Sequence, residues 1–253
     1  MERAIAVIPA RGGSKGIQRK NLMEFCGRPL LAWSILQAGA AQNIEAVYVS
    51  SDDREILETA KRYGAAGILR PEELATDEAS SESALIHALD EIEKTDETNF
   101  SLVVFLQATS PLREPGDIDC AVGRLVETDS DSLFSAAVLN DFCLWHREGG
   151  RLKGLSFDPN NRVRRQDREP LYLENGSIYV FRPKILREHR NRLGGKISTY
   201  EMPFWKSYEI DTPEELETCK YYFERHLLHC WQKAEETEYG NGSLCYCRNR
   251  DQS

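Results

Sequence analysis

Apolar runs of strand length alternate with amphipathic stretches of helix length along most of this chain. "AIAVIP" at 4–9 is unbroken by polar residues and reads as a strand buried on both faces. A glycine-rich polar loop follows it. Pro29 then opens a helical pattern that runs to about Gln42, because proline fits the first helical turn. "EAVYVSSDD" (45–53) is a strand ending in a polar turn, and "REILETAKRYG" (54–64) is a helix with Gly64 placed as its C-terminal cap. "SSESALIHALDEIEK" (80–94) is a further helix, with Ser80 or Ser81 near its N-terminus. "FSLVVFLQATSPLR" (100–113) is a strand running into a loop. A helix from about Pro115 to Glu127 and the strand "SLFSAAV" (132–138) follow. Strands alternating with crossover helices predict an α/β fold, a Rossmann-like doubly wound and mostly parallel sheet.

The alternation breaks after about residue 139. Residues 147–168 carry seven cations against three acids and are dotted with glycine and asparagine, which predicts an excursion from the sheet. "NGSIYVFRP" (175–183) resumes a strand, and "TYEMPFWKSYEID" (199–211) holds one or two more. Thr212 and Glu215 have the spacing of a capping box around Pro213, so a helix starts there and extends to about Glu235. We therefore expect one domain over 1–235, with 140–175 protruding from it, and a flexible tail over 236–253.

Composition narrows the function classes. The 253 residues carry a formal net charge of −9, which argues against a general nucleic-acid or membrane-surface binder. The apolar stretch in "MERAIAVIPARG" is too short for a signal sequence or a membrane span, so a cytoplasmic protein is expected. Seven cysteines, odd in number and irregular in spacing, do not predict a disulfide framework. His226, His229, Cys230, Cys245 and Cys247 are conceivable metal ligands, but they lack the paired spacing of zinc modules.

Against that acidic background, "RGGSKGIQRK" at 11–20 packs four cations with no acid. Gly12, Gly13 and Gly16 let the backbone turn tightly and present N–H groups to an anion, while Arg11, Lys15, Arg19 and Lys20 add charge. This suits a polyphosphate. The loop is neither a Walker A sequence nor GxGxxG, so the dinucleotide-binding fingerprint is missing. "YEID" supplies Glu209 and Asp211 two residues apart. On a strand these would share a face and could approach one Mg²⁺; equally, Asp211 could simply help the next helix begin. Asp52 and Asp53 in "SSDD" offer either a glycosyltransferase-like metal turn or caps for the following helix. "RRQD" at 164–167 could contact a carboxylate substrate.

Five stretches in order now carry a resemblance: "IPARGGSKGIQRKN" (8–21), "LRPEELATDEASS" (69–81), "LQATSPLR" (106–113), "RRQDREPLYLENGSIY" (164–179) and "YEIDTPEEL" (208–216). Together they resemble the motifs of the CMP-sialic acid synthetases, the acylneuraminate cytidylyltransferases, over about residues 4–220. The resemblance implies a Mg²⁺-dependent enzyme that joins CTP to a nine-carbon 2-keto sugar acid and releases pyrophosphate. It further implies that Arg11, Lys15 and Lys20, with the Gly12–Gly13 backbone, hold the triphosphate. Asn21, Arg70 and Ser81 would contact the nucleotide, Gln107 the sugar acid, with Arg165 and Asn175 nearby. Asp211, with Glu209, would hold the metal, making Asp211, Arg11 and Lys20 the catalytic set. The excursion would be a homodimerisation arm, with Arg165 serving the partner's site.

Two departures stand out: Glu209-Ile-Asp211 replaces a common D-I-D, and Trp145 stands where some members carry a basic residue. The same chemistry on legionaminic or pseudaminic acid, or with GTP, is a neighbouring reading. The eight-carbon acid Kdo is disfavoured by "GGSKGIQRKN". A nonenzymatic nucleotide-binding protein and a glycosyltransferase using "SSDD" are readings from other classes.

Overall fold

A computed structural model describes residues 2–13, 16–95, 100–139, 142–164 and 167–238. Its elements in chain order are β1 Ala4–Pro9, β2 Glu24–Phe25, β3 Arg28–Pro29, α1 Leu30–Gly39, β4 Ile44–Ser51, α2 Arg54–Arg62 and β5 Ala66–Leu69. Then come α3 Ser81–Thr95, β6 Leu102–Leu106, α4 Asp117–Glu127, β7 Ser132–Val138, β8 Trp145–Glu148 and β9 Arg151–Gly154. The remainder is β10 Tyr172–Phe181, α5 Pro183–His189, β11 Ile197–Glu201, α6 Pro213–Tyr222 and α7 Leu228–Glu238, the last two joined by a π-helical turn at Phe223–Leu227.

Seven strands form one sheet in the order β11-β7-β10-β6-β1-β4-β5. Only β10 runs against its neighbours; every other pairing is parallel. The chain leaves β1 toward β4 and β5, then returns to β6 on β1's other side. The topological switch therefore lies between β1 and β6, and the crevice beyond their carboxyl ends is the expected ligand position. This is the mostly parallel α/β sheet that the alternation predicts.

Strand side chains alternate between two apolar layers. Ala4, Ala6 and Ile8 of β1 face Leu31, Ile35, Ile118 and Val122 of α1 and α4. Ile5 and Val7 face Leu85, Leu89 and Ile92 of α3. The run "AIAVIP" has no polar position because both faces are covered. A third cluster joins Phe25, Leu30, Trp33, Leu112, Ile210, Phe223 and Trp231, so the C-terminal helices pin the loops at 107–113 and 208–211 from outside.

Several caps match the sequence reading. Asp53 is the N-cap of α2, its Oδ1 accepting from the N–H of Glu55 at 2.7 Å. Gly64, at φ +92°, ends that helix, and Thr212 and Glu215 form the reciprocal box that starts α6. Besides the short strand pairs β2–β3 and β8–β9, two elements have no counterpart in the sequence reading. β5 is a four-residue edge strand, mostly exposed, and α5 is a seven-residue helix. Neither is long enough to express a period.

The segment 208–210 is not a strand, contrary to the expectation for "YEID". The Ile210 N–H bonds the Thr109 carbonyl at 2.9 Å, and the Ile210 side chain is buried in the third cluster. One backbone bond and one apolar anchor hold the segment in place of a ladder. β8 and β9 make a two-stranded sheet separate from the seven-stranded one, and none of their residues is buried. No described helix is long and apolar enough to cross a membrane. Cys26, Cys143, Cys219 and Cys230 are free thiols. No group of three or more metal-ligating side chains occurs among the described residues; Cys245, Cys247 and the tail over 239–253 lie outside them.

Candidate active site

The loop after β1 is shaped from beneath by the ends of neighbouring strands. The Ala10 N–H bonds the Ser50 carbonyl at 2.9 Å, and the Gly12 N–H donates to Asp52 Oδ1 at 3.0 Å. A Cβ on Gly12 would lie 2.9 Å from the Asp53 Cβ, so this close approach requires glycine. "SSDD" thus divides its work: Asp53 caps α2 and Asp52 fixes the loop, which accounts for both without a metal. Asn21 donates from Nδ2 to the Arg11 carbonyl at 3.0 Å and closes the loop's far end.

A cleft of about 600 Å³ opens at the switch point. Arg11, Gly16, Lys20, Asn21, Arg70, Ser81, Gln107 and Asp211 all line it, although they come from five separate parts of the chain. Gly12, Gly13, Glu209 and Asn175 lie outside that lining. Lys15 and Arg165 fall outside the described residues.

Each described loop cation is balanced by a carboxylate. Lys20 Nζ is 2.6 Å from Asp211 Oδ1, Arg11 Nη1 is 2.7 Å from Asp77 Oδ1, and Arg19 pairs with Glu55. Arg70 differs. Its side chain is only 6% exposed, its nearest acidic oxygen is Asp52 Oδ1 at 4.0 Å, and its Nε and Nη2 have no hydrogen-bond partner. Burial pushes its pKa down, and Asp52 only partly offsets this. A buried cation with orphaned donors beside a cleft is a receptor for an incoming acceptor.

The carboxylate side is built around Ile210. Glu209 and Asp211 flank that buried residue, and the backbone N–H of Asp211 is held by Glu215 Oε2 at 3.0 Å. Burial raises the Glu209 pKa, and the nearby Asp211 charge raises it further. The Glu209 carboxylate and the Gln107 amide both fold over Gly176, which sits at φ +66°. A Cβ there would lie 2.3 Å from Glu209 Oε1 and 2.5 Å from Gln107 Nε2. Gly176→Ala should therefore cost about 1–3 kcal/mol in left-handed strain and also displace both side chains. Denaturant unfolding and turnover should fall together; parent values for both would refute this packing.

Asn175 is spent internally. Its Oδ1 accepts from Ser135 Oγ at 2.6 Å and from the Ser177 N–H, holding the irregularity in β10. Three groups escape a reading of the sequence. Arg113, at the end of "LQATSPLR", is fully buried and ties the 107–113 loop to α1 and β10. Asp77 holds Arg11, and Arg192 holds Ser81. In the sequence Arg113 is a lone cation at the end of the polar loop "QATSPLR", and no local pattern there announces its burial.

Hard carboxylate oxygens from Glu209 and Asp211 fit Mg²⁺ held jointly with substrate phosphates, which is its usual mode.

Comparison with known proteins agrees with this geometry. A family model described as "Cytidylyltransferase" matches residues 5–237. An N-acylneuraminate cytidylyltransferase of Oncorhynchus mykiss is 34% identical over 81% of this chain, which spans only 47% of that protein. A pseudaminic acid cytidylyltransferase of Campylobacter jejuni is 33% identical over 85% of this chain and 94% of that protein. Among solved structures, a CMP:2-keto-3-deoxy-manno-octonic acid synthetase complexed with CTP superposes with a TM-score of 0.65 at 19% identity. The match covers 89% of this chain and all of that one, and it speaks for the fold alone. A shared sequence pattern over nearly the whole described domain, on a sheet whose switch point carries the polar cleft, makes this chain a member of the cytidylyltransferase family.

Proposed function

We propose that this protein activates a nine-carbon 2-keto sugar acid with CTP, giving the CMP-sugar and pyrophosphate, and that it requires Mg²⁺. The observation that carries the reading is the cleft itself. A cationic glycine loop, a buried Arg70 with two orphaned donors and the Asp211 carboxylate meet at one switch point, in a chain similar to sialic and pseudaminic acid cytidylyltransferases.

The anomeric hydroxyl oxygen attacks the α-phosphorus of CTP and gives up its proton to water, the bond from that phosphorus to the bridging oxygen breaks, and pyrophosphate leaves. Such a transfer asks the protein mainly for positioning and charge neutralisation. Arg11, Lys20 and Lys15, with the Gly12–Gly13 backbone, receive the triphosphate. Arg70, Asn21 and Ser81 hold the nucleotide, and Gln107 orients the sugar acid. Glu209 and Asp211 would hold Mg²⁺, which supplies charge neutralisation at the phosphates and acidifies the attacking hydroxyl. Lys20 Nζ, 2.6 Å from Asp211 Oδ1, supplies a cation where the phosphates would lie.

The protruding segment supports a homodimer. Trp145, Leu152, Leu155, Val163 and Tyr172 expose large apolar surfaces there, as an interface requires. Arg165 belongs to this stretch of the sequence and would serve the partner's cleft.

Pyrophosphate release, measured with CTP or GTP against sialic, pseudaminic and legionaminic acids, tests the reading. CTP-dependent release with one of these acids is expected. CTP binding without release from any of them would favour a nonenzymatic binding protein. Arg11→Ala should lower kcat/KM by roughly ten- to a thousandfold, as loss of a charge-stabilising donor does. Unchanged turnover in that variant would remove the loop from the mechanism.

A further inference from the structure

Arg192 lies in the loop between α5 and β11, outside every motif considered above. Its guanidinium sits over two aromatic rings, 4.9 Å from the Phe105 centroid and 4.6 Å from that of Tyr179. Those rings are themselves stacked at 5.3 Å, so the cation rests on a preassembled platform. From there Nε donates to Glu82 Oε1 at 2.9 Å and Nη2 donates to Ser81 Oγ at 3.0 Å. Ser81 and Phe105 both line the cleft.

We infer that Arg192 is a positioning residue for the nucleotide, acting through Ser81; this rests on the cytidylyltransferase reading. A guanidinium has donors only, so the Ser81 oxygen must accept from it. The Ser81 hydrogen is then left to donate. Its partner within the protein, Glu82 Oε2, is 3.4 Å away and easily exchanged. Arg192 thereby presents Ser81 to the cleft as a donor, matched to an acceptor atom of the nucleotide. It also holds the Glu82 carboxylate in an ion pair beside a site that must admit a polyanion. The ring platform and the planar fork fix this geometry before any ligand arrives.

Calorimetric titration with CTP, together with steady-state kinetics, tests the coupling. Arg192→Met keeps an unbranched stem against the rings but has no donor, and it should weaken CTP about tenfold. Ser81→Ala should do the same. If Arg192 acts through Ser81, the double variant is no weaker than about twofold beyond either single one, because the two losses are one interaction. The KM for the sugar acid should stay within about twofold of the parent value. A double variant weakened about a hundredfold would mean independent roles and would overturn the inference, as would parent-like CTP affinity in Arg192→Met. Should Arg192→Met not fold, Arg192→Leu carries the same test, since it keeps apolar contact with the rings and has no donor. A parent protein that binds CTP but releases no pyrophosphate refutes the functional reading while leaving the binding test intact.

Discussion

Asp211→Asn should lower kcat on the order of a thousandfold while leaving the fold in place, the magnitude expected when a metal-anchoring, charge-stabilising group is lost. The backbone at this position does not depend on the carboxylate. The Asp211 and Thr212 N–H groups are both held by Glu215 Oε2, at 3.0 and 2.9 Å, and the neighbouring Ile210 stays in its apolar seat. What changes is electrostatic. Lys20 Nζ loses its carboxylate at 2.6 Å, and its side chain is only 11% exposed. The remaining carboxylate, Glu209, is half-buried and has its pKa raised, so it is a poor substitute for Asp211. Pyrophosphate release across a Mg²⁺ titration should show a loss of kcat that added metal does not restore. Circular dichroism should be unchanged. The companion variant Asp52→Asn keeps a carbonyl oxygen to accept from the Gly12 N–H, so it should lose far less. If the two variants exchange these outcomes, the metal turn lies at "SSDD" and the assignment to Asp211 falls.

The largest effect on stability is expected at Arg113→Met. The side chain is fully buried, and all five bonds it donates are internal. Nη2 reaches the Gln107 carbonyl at 2.8 Å and the Ser177 carbonyl at 2.7 Å, while Nε reaches the same Ser177 oxygen at 3.2 Å. Nη1 bonds Gln37 Oε1 at 2.8 Å and Ser34 Oγ at 3.1 Å. Burial drags the guanidinium pKa down to about 9, with Asp117 and Glu209 pulling the other way. Methionine fills much of the volume but takes the Arg113 donors from the Ser177 carbonyl and Gln37 Oε1, while the Gln107 carbonyl keeps the Ser110 N–H at 3.2 Å. Each such orphan costs about 1–3 kcal/mol, so a loss of at least about 2 kcal/mol is expected. For a domain of this size that corresponds to a drop in Tm of roughly 4–8 °C. A Tm within about 2 °C of the parent protein would show that the hub is not a structural anchor. Because Gln107 is carried on the same loop, partial loss of activity at low temperature should accompany the instability.

Much of this architecture is visible in the sequence because its causes are local. β1, β4, β6 and β7 appear as apolar runs, since a parallel strand covered on both faces has no room for polar side chains. Asp53, Gly64 and Thr212–Glu215 mark helix ends because the groups they satisfy lie within four residues of themselves. The cationic loop stands out by its charge against an acidic chain. By contrast, β5 and α5 are short and get their stability from contacts with distant elements. "YEID" has a strand-like composition but sits in a loop, because its one ladder-like bond goes to Thr109 and its anchor is a buried isoleucine.

The candidate site divides along the same line. The sequence by itself determined an α/β sheet, a glycine loop suited to a polyphosphate, and acidic residues able to meet a hard cation. It could do so because side-chain period, charge and capping are properties of neighbours along the chain. Only the tertiary structure decided which of these groups meet. Lys20 and Asp211 are 191 residues apart, Arg192 and Ser81 are 111 apart, and Arg113 and Ser177 are 64 apart. Those pairings follow from the return of the chain from β5 to β6 and from the C-terminal helices clamped over the loops. No local preference encodes them; packing the two apolar layers of a single sheet brings them within hydrogen-bonding distance.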